Sequence, residues 1–140
     1  MSEREDKYLT YRGRPEALVS LGSQLGFVTT FPDDLPSSFY RLDLEKAALT
    51  AVALPIAARV LVAASDASDA TVWAAGTGTD IFQVTAKAKT PKRIATGLDG
   101  DAVVGLVLVA GNRLGVLTEK ALAIVDPKSG KVVQLSLIHI

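Results

Sequence analysis

The chain has 140 residues, 49% of them hydrophobic and 21% charged, which supplies one sizeable core and too little charge for a disordered chain. Fifteen Lys and Arg balance fifteen Asp and Glu. The strong positive field that a phosphate backbone requires is therefore missing, and nucleic acid is not an expected partner. The absence of cysteine excludes a disulfide framework, thiolate metal sites and a cysteine nucleophile.

The charged opening Met1-Ser2-Glu3-Arg4-Glu5-Asp6-Lys7 precedes no apolar stretch of the signal-peptide kind. No run is long enough to cross a bilayer. A soluble cytoplasmic protein with no membrane partner is expected. Residues 1–14 read as a solvated tail carrying a short strand at Tyr8–Tyr11, broken at Gly13–Pro15.

Three units follow, 15–55, 56–98 and 99–137, each read as four short strands. The first unit holds Ala17–Leu21, Leu25–Phe31, Phe39–Leu44 and Leu49–Leu54, with a loop of turn-formers from Pro32 to Ser38. Arg59–Ala63, Thr71–Ala75, Ile81–Thr85 and Lys92–Thr96 make the second, with a turn at Gly76-Thr77-Gly78. The third is Val103–Val109, Leu114–Thr118, Leu122–Val125 and Lys131–Leu137. Its turn Asp126-Pro127-Lys128-Ser129-Gly130 has Pro127 to preset φ and Gly130 to take φ > 0. Helix competes over Leu42–Ala53 and Thr79–Lys89. Period-two alternation and β-branched Thr50, Val52 and Val84 decide for strand, as do turn signals every eight to twelve residues or about that.

A weak self-similarity recurs roughly every forty residues. Leu25-Gly26-Phe27-Val28-Thr29 and Leu114-Gly115-Val116-Leu117-Thr118 are nearly one pentapeptide, and Tyr40–Asp43, Phe82–Thr85 and Ala123–Asp126 open matching hairpins. A repeat of this length built only from strands points to β-propeller blades. The expected fold is all-β, a partial β-propeller of about three four-stranded antiparallel blades.

The hairpins Tyr40-Arg41-Leu42-Asp43-Leu44 and Ile124–Val132 resemble the outer strands of the WD40-like and quinoprotein-like propeller superfamily, where such hairpins recur once per blade. The resemblance spans residues 15–137. The Gly-His and Trp-Asp dipeptides of WD40 repeats are missing, and Trp73 is followed by Ala74. The kelch double glycine and the tryptophan-docking pattern of quinoprotein enzymes are missing too, so the resemblance assigns no functional residue. Rings of this kind close with about four to eight blades. The resemblance therefore implies either a fragment of a larger protein or self-association through open blade edges. Ser136-Leu137-Ile138-His139-Ile140 resembles the translated sequencing-adaptor tail of a broken reading frame. Residues 138–140 are expected to be a non-native or truncated tail, and His139, the sole histidine, is set aside.

Each candidate site meets a simpler reading. Gly76-Thr77-Gly78 precedes a strand, whereas a phosphate loop needs a helix N-terminus after it; a hairpin turn is expected. The acidic loops Asp66–Asp69, Asp99-Gly100-Asp101 and Asp33-Asp34 lack the alternate aspartates and closing glutamate of a calcium loop. Lys87, Lys89, Lys92 and Arg93, around Thr90-Pro91, could meet an acidic partner but suit the protection of an edge strand. Arg12 and Arg14 read as surface charges and Trp73 as core.

No catalytic, cofactor-binding or metal-binding residue is assigned, and no cofactor is expected. The expected role is a non-catalytic protein-interaction scaffold with a protein partner, the chain being a fragment of a larger β-propeller protein. The alternative is a fragment of a propeller enzyme, a metal-dependent hydrolase or lyase, with its catalytic residues in missing blades.

Overall fold

A computed structural model describes residues 11–64, 70–86 and 89–137. Apolar alternation between turn-formers yields twelve strands among them. The first sheet contains β1 (Arg14–Leu21), β2 (Gln24–Thr30), β3 (Ser38–Asp43) and β4 (Ala48–Ala53). The middle sheet contains β5 (Ala58–Ala64), β6 (Thr71–Gly76), β7 (Ile81–Thr85) and β8 (Lys92–Ile94). The third contains β9 (Val103–Val109), β10 (Arg113–Thr118), β11 (Ala121–Val125) and β12 (Val132–Leu137). Within each sheet every strand pairs antiparallel with its neighbour in sequence.

The chain is all-β, with three four-stranded sheets arranged as about three propeller blades. The Leu42–Ala53 stretch, where helix competed, is the β3–β4 hairpin that pairs Leu42 with Leu49 and Phe39 with Val52.

Two local expectations are corrected. Pro15 does not break the chain; it lies inside β1, opposite Thr29, with a bulge before Ala17. An edge strand tolerates it because no ladder partner needs the missing N–H, and the bulge absorbs the irregularity. Tyr11 precedes β1 and is not in a strand, while Tyr8–Thr10 lie outside the described residues. Pro32–Asp34, expected as plain loop, forms one 3₁₀ turn.

The sheets stack in chain order, with β1 against β5 and β5 against β9. One apolar layer joins the first and middle sheets through Leu21, Val28 and Phe39 on one side and Val72, Ala74, Phe82 and Val84 on the other. A second joins the middle and third sheets through Trp73, Ala75, Ile81 and Ile94 against Leu106, Leu114, Val116 and Val125. Strand alternation sends Val72 and Ala74 of β6 to one layer and Trp73 and Ala75 to the other. The middle sheet is thus covered on both faces, which explains why β5 and β6 are nearly continuous apolar runs. Phe39, Ile81, Leu114 and Val116 are fully buried, and each such side chain contributes about 1.5–3 kcal/mol.

Backbone clasps lock the stack at one rim, where the β2–β3 and β6–β7 loops meet the segments connecting the sheets. Ser37 N–H donates to Ile56 O at 2.7 Å, and Ser37 Oγ accepts from Ala58 N–H at 2.8 Å. Thr77 exchanges two hydrogen bonds with Ala57: its N–H donates to Ala57 O at 3.1 Å, and its Oγ1 accepts from Ala57 N–H at 3.2 Å. Gly78 N–H donates to Asp101 O at 2.8 Å. The Gly76-Thr77-Gly78 turn therefore grips both connecting segments. A Cβ on Gly76 would lie 1.9 Å from Ala57 O, so only glycine admits this approach.

The repeated pentapeptide has a steric basis as well. A Cβ on Gly26 would lie 2.6 Å from the Phe39 ring, and one on Gly115 would lie 2.8 Å from Val107 Cγ2. Each glycine makes room for a side chain of an adjacent strand. The Asp126–Gly130 turn forms as expected, with Gly130 at φ 75° and its N–H donating to Asp126 O at 2.7 Å.

Candidate functional site

The same rim carries a charged groove between the first and middle sheets. It has a volume of about 450 Å³ and is lined by Arg14, Glu16, Thr30, Phe31, Pro32, Asp33, Asp34 and Arg59. Three pieces of chain converge there: the start of β1, the β2–β3 loop and the start of β5. Asp33 and Asp34 both take left-handed backbone, at φ 62° and 53°, a conformation that aspartate tolerates better than most residues. This pair of kinks turns the loop back over β5.

Arg59 ties the site together. Its Nη2 donates to Asp34 Oδ1 at 2.7 Å, and its Nη1 stands 3.7 Å from Glu16 Oε1. Both pairs are partly exposed, so each adds no more than about 1 kcal/mol to stability. Their effect is to fix the loop and to space the charges. The Arg14 guanidinium has no ion-pair partner among the described residues. Glu16 and Asp34 both face a guanidinium, an arrangement suited to recognition of polar and charged groups rather than to proton transfer between two carboxyls.

The remaining candidates are distributed as follows. Trp73 is only 6% exposed, lies in the layer between middle and third sheets, and donates from Nε1 to Gln83 Oε1 at 3.0 Å. Among the described residues the basic cluster does not share one face. Lys92 and Arg93 are successive residues of β8, opposite Gln83 and Phe82, so they point to opposite faces. Arg93 Nε donates to Asp80 Oδ2 at 2.6 Å. Both lie on the outer edge strand of the middle sheet, where charge discourages edge pairing. Lys87 lies outside the described residues, as do Asp66–Asp69 and His139.

In the Asp99–Asp101 loop the backbone makes the contacts. Asp99 O accepts from Thr118 Oγ1 at 2.8 Å, and Asp101 N–H donates to Glu119 Oε1. That donation holds the Glu119 carboxyl below its ordinary range. Arg12 N–H donates to Tyr40 Oη at 3.3 Å. Among the described residues no group of three His, Cys, Asp or Glu is placed to hold a metal ion, and no helix is long and apolar enough to cross a membrane.

Sequence reasoning named Asp33, Asp34 and Arg14 without connecting them, and it missed Glu16 and Arg59. The one available signal was the tandem aspartates between two prolines, which a simple turn explains equally well. No protein-family model matches the chain, and no curated protein matches it significantly.

Proposed function

We propose that this chain is a protein-recognition scaffold whose contact surface is the charged groove formed by Arg14, Glu16, Asp33, Asp34 and Arg59. The observation that carries this reading is the groove's construction. Charges of both signs converge from two neighbouring sheets onto a solvent-open rim, where Arg14, Glu16 and Arg59 stand on strands and Asp34 is tied to one through Arg59. Loops on a rigid scaffold are the usual carriers of binding. A fixed pattern of opposite charges selects a partner by complementarity more than by raw affinity. The hairpin pattern and the stacking of three sheets further support membership of the WD40-like and quinoprotein-like superfamily, the chain being part of a larger cytoplasmic ring.

The test is selection of a displayed peptide library on the immobilised chain, followed by binding titrations. An enriched consensus whose Kd rises about tenfold or more, a loss of ~1.4 kcal/mol, on Arg14→Glu supports the groove as the contact surface. Selection of no consensus, or one indifferent to Arg14→Glu and Asp33→Ala, rejects it.

A further inference from the structure

The stack ends in two sheet faces that cover no other sheet among the described residues, and the repeated pentapeptide shows what each is shaped to meet. In the first sheet Val28 of the pentapeptide points toward the middle sheet and is fully buried there, while Leu25 and Phe27 point outward. In the third sheet the matching residues reverse their surroundings. Leu114 and Val116, the equivalents of Leu25 and Phe27, are buried against the middle sheet, and Leu117, the equivalent of Val28, points outward.

Each unit therefore has a forward face, on which Val28 and Leu117 stand, and a rear face, on which Leu25, Phe27, Leu114 and Val116 stand. Both interfaces inside the chain join a forward face to a rear face. The two faces left over are one of each kind: the rear of the first sheet and the forward face of the third.

Both are apolar. Register places Leu18, Phe27 and Tyr40 in one row across the rear of the first sheet, with Leu25, Leu42 and Leu49 in the next. Leu18 is 67% exposed. The forward face of the third sheet carries Val107 opposite Gly115 and Ile124, and Leu117 opposite Leu122. Here Val107 is 56% and Leu122 48% exposed. The Tyr11 ring packs on Phe27 and Tyr40 at 5.1 and 5.9 Å, and the apolar surface left open around Leu18 on one face and around Val107 and Leu122 on the other is of the kind that marks association.

We infer that the occupant is a second copy of this chain, docked head to tail, with the forward face of one copy's third sheet on the rear face of the other's first sheet. A second copy supplies both missing faces by the rule that already operates twice within the chain. Such contact is heterologous and generates either a ring or a filament. Two copies provide six sheets, within the range of about four to eight at which propellers close. This is association through faces, distinct from pairing at strand edges.

Sedimentation velocity on the full chain across the micromolar range tests it, with Leu18→Lys and Leu122→Lys and with circular dichroism to verify folding. Leu18→Ser and Leu122→Ser replace any lysine variant that does not fold. The parent chain should sediment at twice 14.7 kDa or a higher multiple, and each variant as a monomer. An equimolar mixture of the two variants should return to a dimer, because one intact forward face then meets one intact rear face. A monomeric parent overturns the proposal and leaves the faces to further blades of a longer chain. Association that survives either variant overturns it in favour of edge pairing. Failure of the mixture to pair overturns the head-to-tail arrangement.

Discussion

The middle and third sheets are written in nearly the same apolar pattern and live in different surroundings. Val60-Leu61-Val62 of β5 and Leu106-Val107-Leu108 of β9 are both runs of three large aliphatics. In the middle sheet both faces of the run meet another sheet. In the third, Leu106 and Leu108 face the stack while Val107 faces outward. Apolar residues on both faces are thus a property of the repeating unit, and their burial is a property of its neighbours. In a stack where each unit contacts only adjacent ones, the middle unit gains two interfaces and an end unit one.

The comparison breaks most visibly at the layers themselves. Phe39→Ala and Trp73→Ala each open a void beside the middle sheet and should cost about 3–5 kcal/mol. Leu122→Ala on the outward face should cost no more than about 0.5 kcal/mol in the dilute monomer. Urea unfolding followed by circular dichroism measures all three. Equal losses at Leu122 and Phe39 would mean that the two kinds of face are not energetically distinct.

A smaller effect is expected at the clasp. Gly76→Ala forces a Cβ onto Ala57 O and should cost about 1–3 kcal/mol. Gly105→Ala in the third sheet meets Leu117 Cβ at 3.3 Å and should cost clearly less. Matching thermal midpoints for the two variants would deny the β6–β7 turn its locking role.

The smallest effect is electrostatic and belongs to the end sheets. Backbone N–H groups of Lys46, Asp101 and Lys128 are the chief causes that hold Asp43, Glu119 and Asp126, respectively, below the ordinary carboxylate range. A carboxyl with a lowered folded-state pKa stabilises the fold above its unfolded value, 3.8 for Asp and 4.5 for Glu. That contribution disappears as pH falls through the folded value. The thermal midpoint should therefore drop on acidification below those values, and the drop should shrink in Asp43→Asn, Glu119→Gln and Asp126→Asn. A slope unchanged in all three variants contradicts the assignment.

The strands were legible because local rules suffice for them. Alternation, β-branching and the Asp126–Gly130 turn each act within a few residues. Pro15 was misread because its tolerance depends on β1 being an edge, which is a fact about the sheet. The groove was illegible for the same kind of reason. Arg59 meets Asp34 and Glu16 only after two sheets have stacked, and Asp33-Asp34 alone satisfies an ordinary turn. Trp73 was legible as core, because an indole between Val72 and Ala74 in a strand has few other places to go.

The meander of each sheet also bears on how the chain finds its structure. Every ladder joins strands adjacent in sequence, so the loops closed in forming a sheet are short and their entropic cost is small. Stacking, the clasps of Ser37, Thr77 and Gly78 and the ion pairs of Arg59 need more distant residues. Hairpins should therefore form early, with mutual docking of nearly finished sheets as the slow step. In stopped-flow refolding, burial of Trp73 should lag the far-ultraviolet signal of strand formation; simultaneous changes would mean that sheets and stack form together.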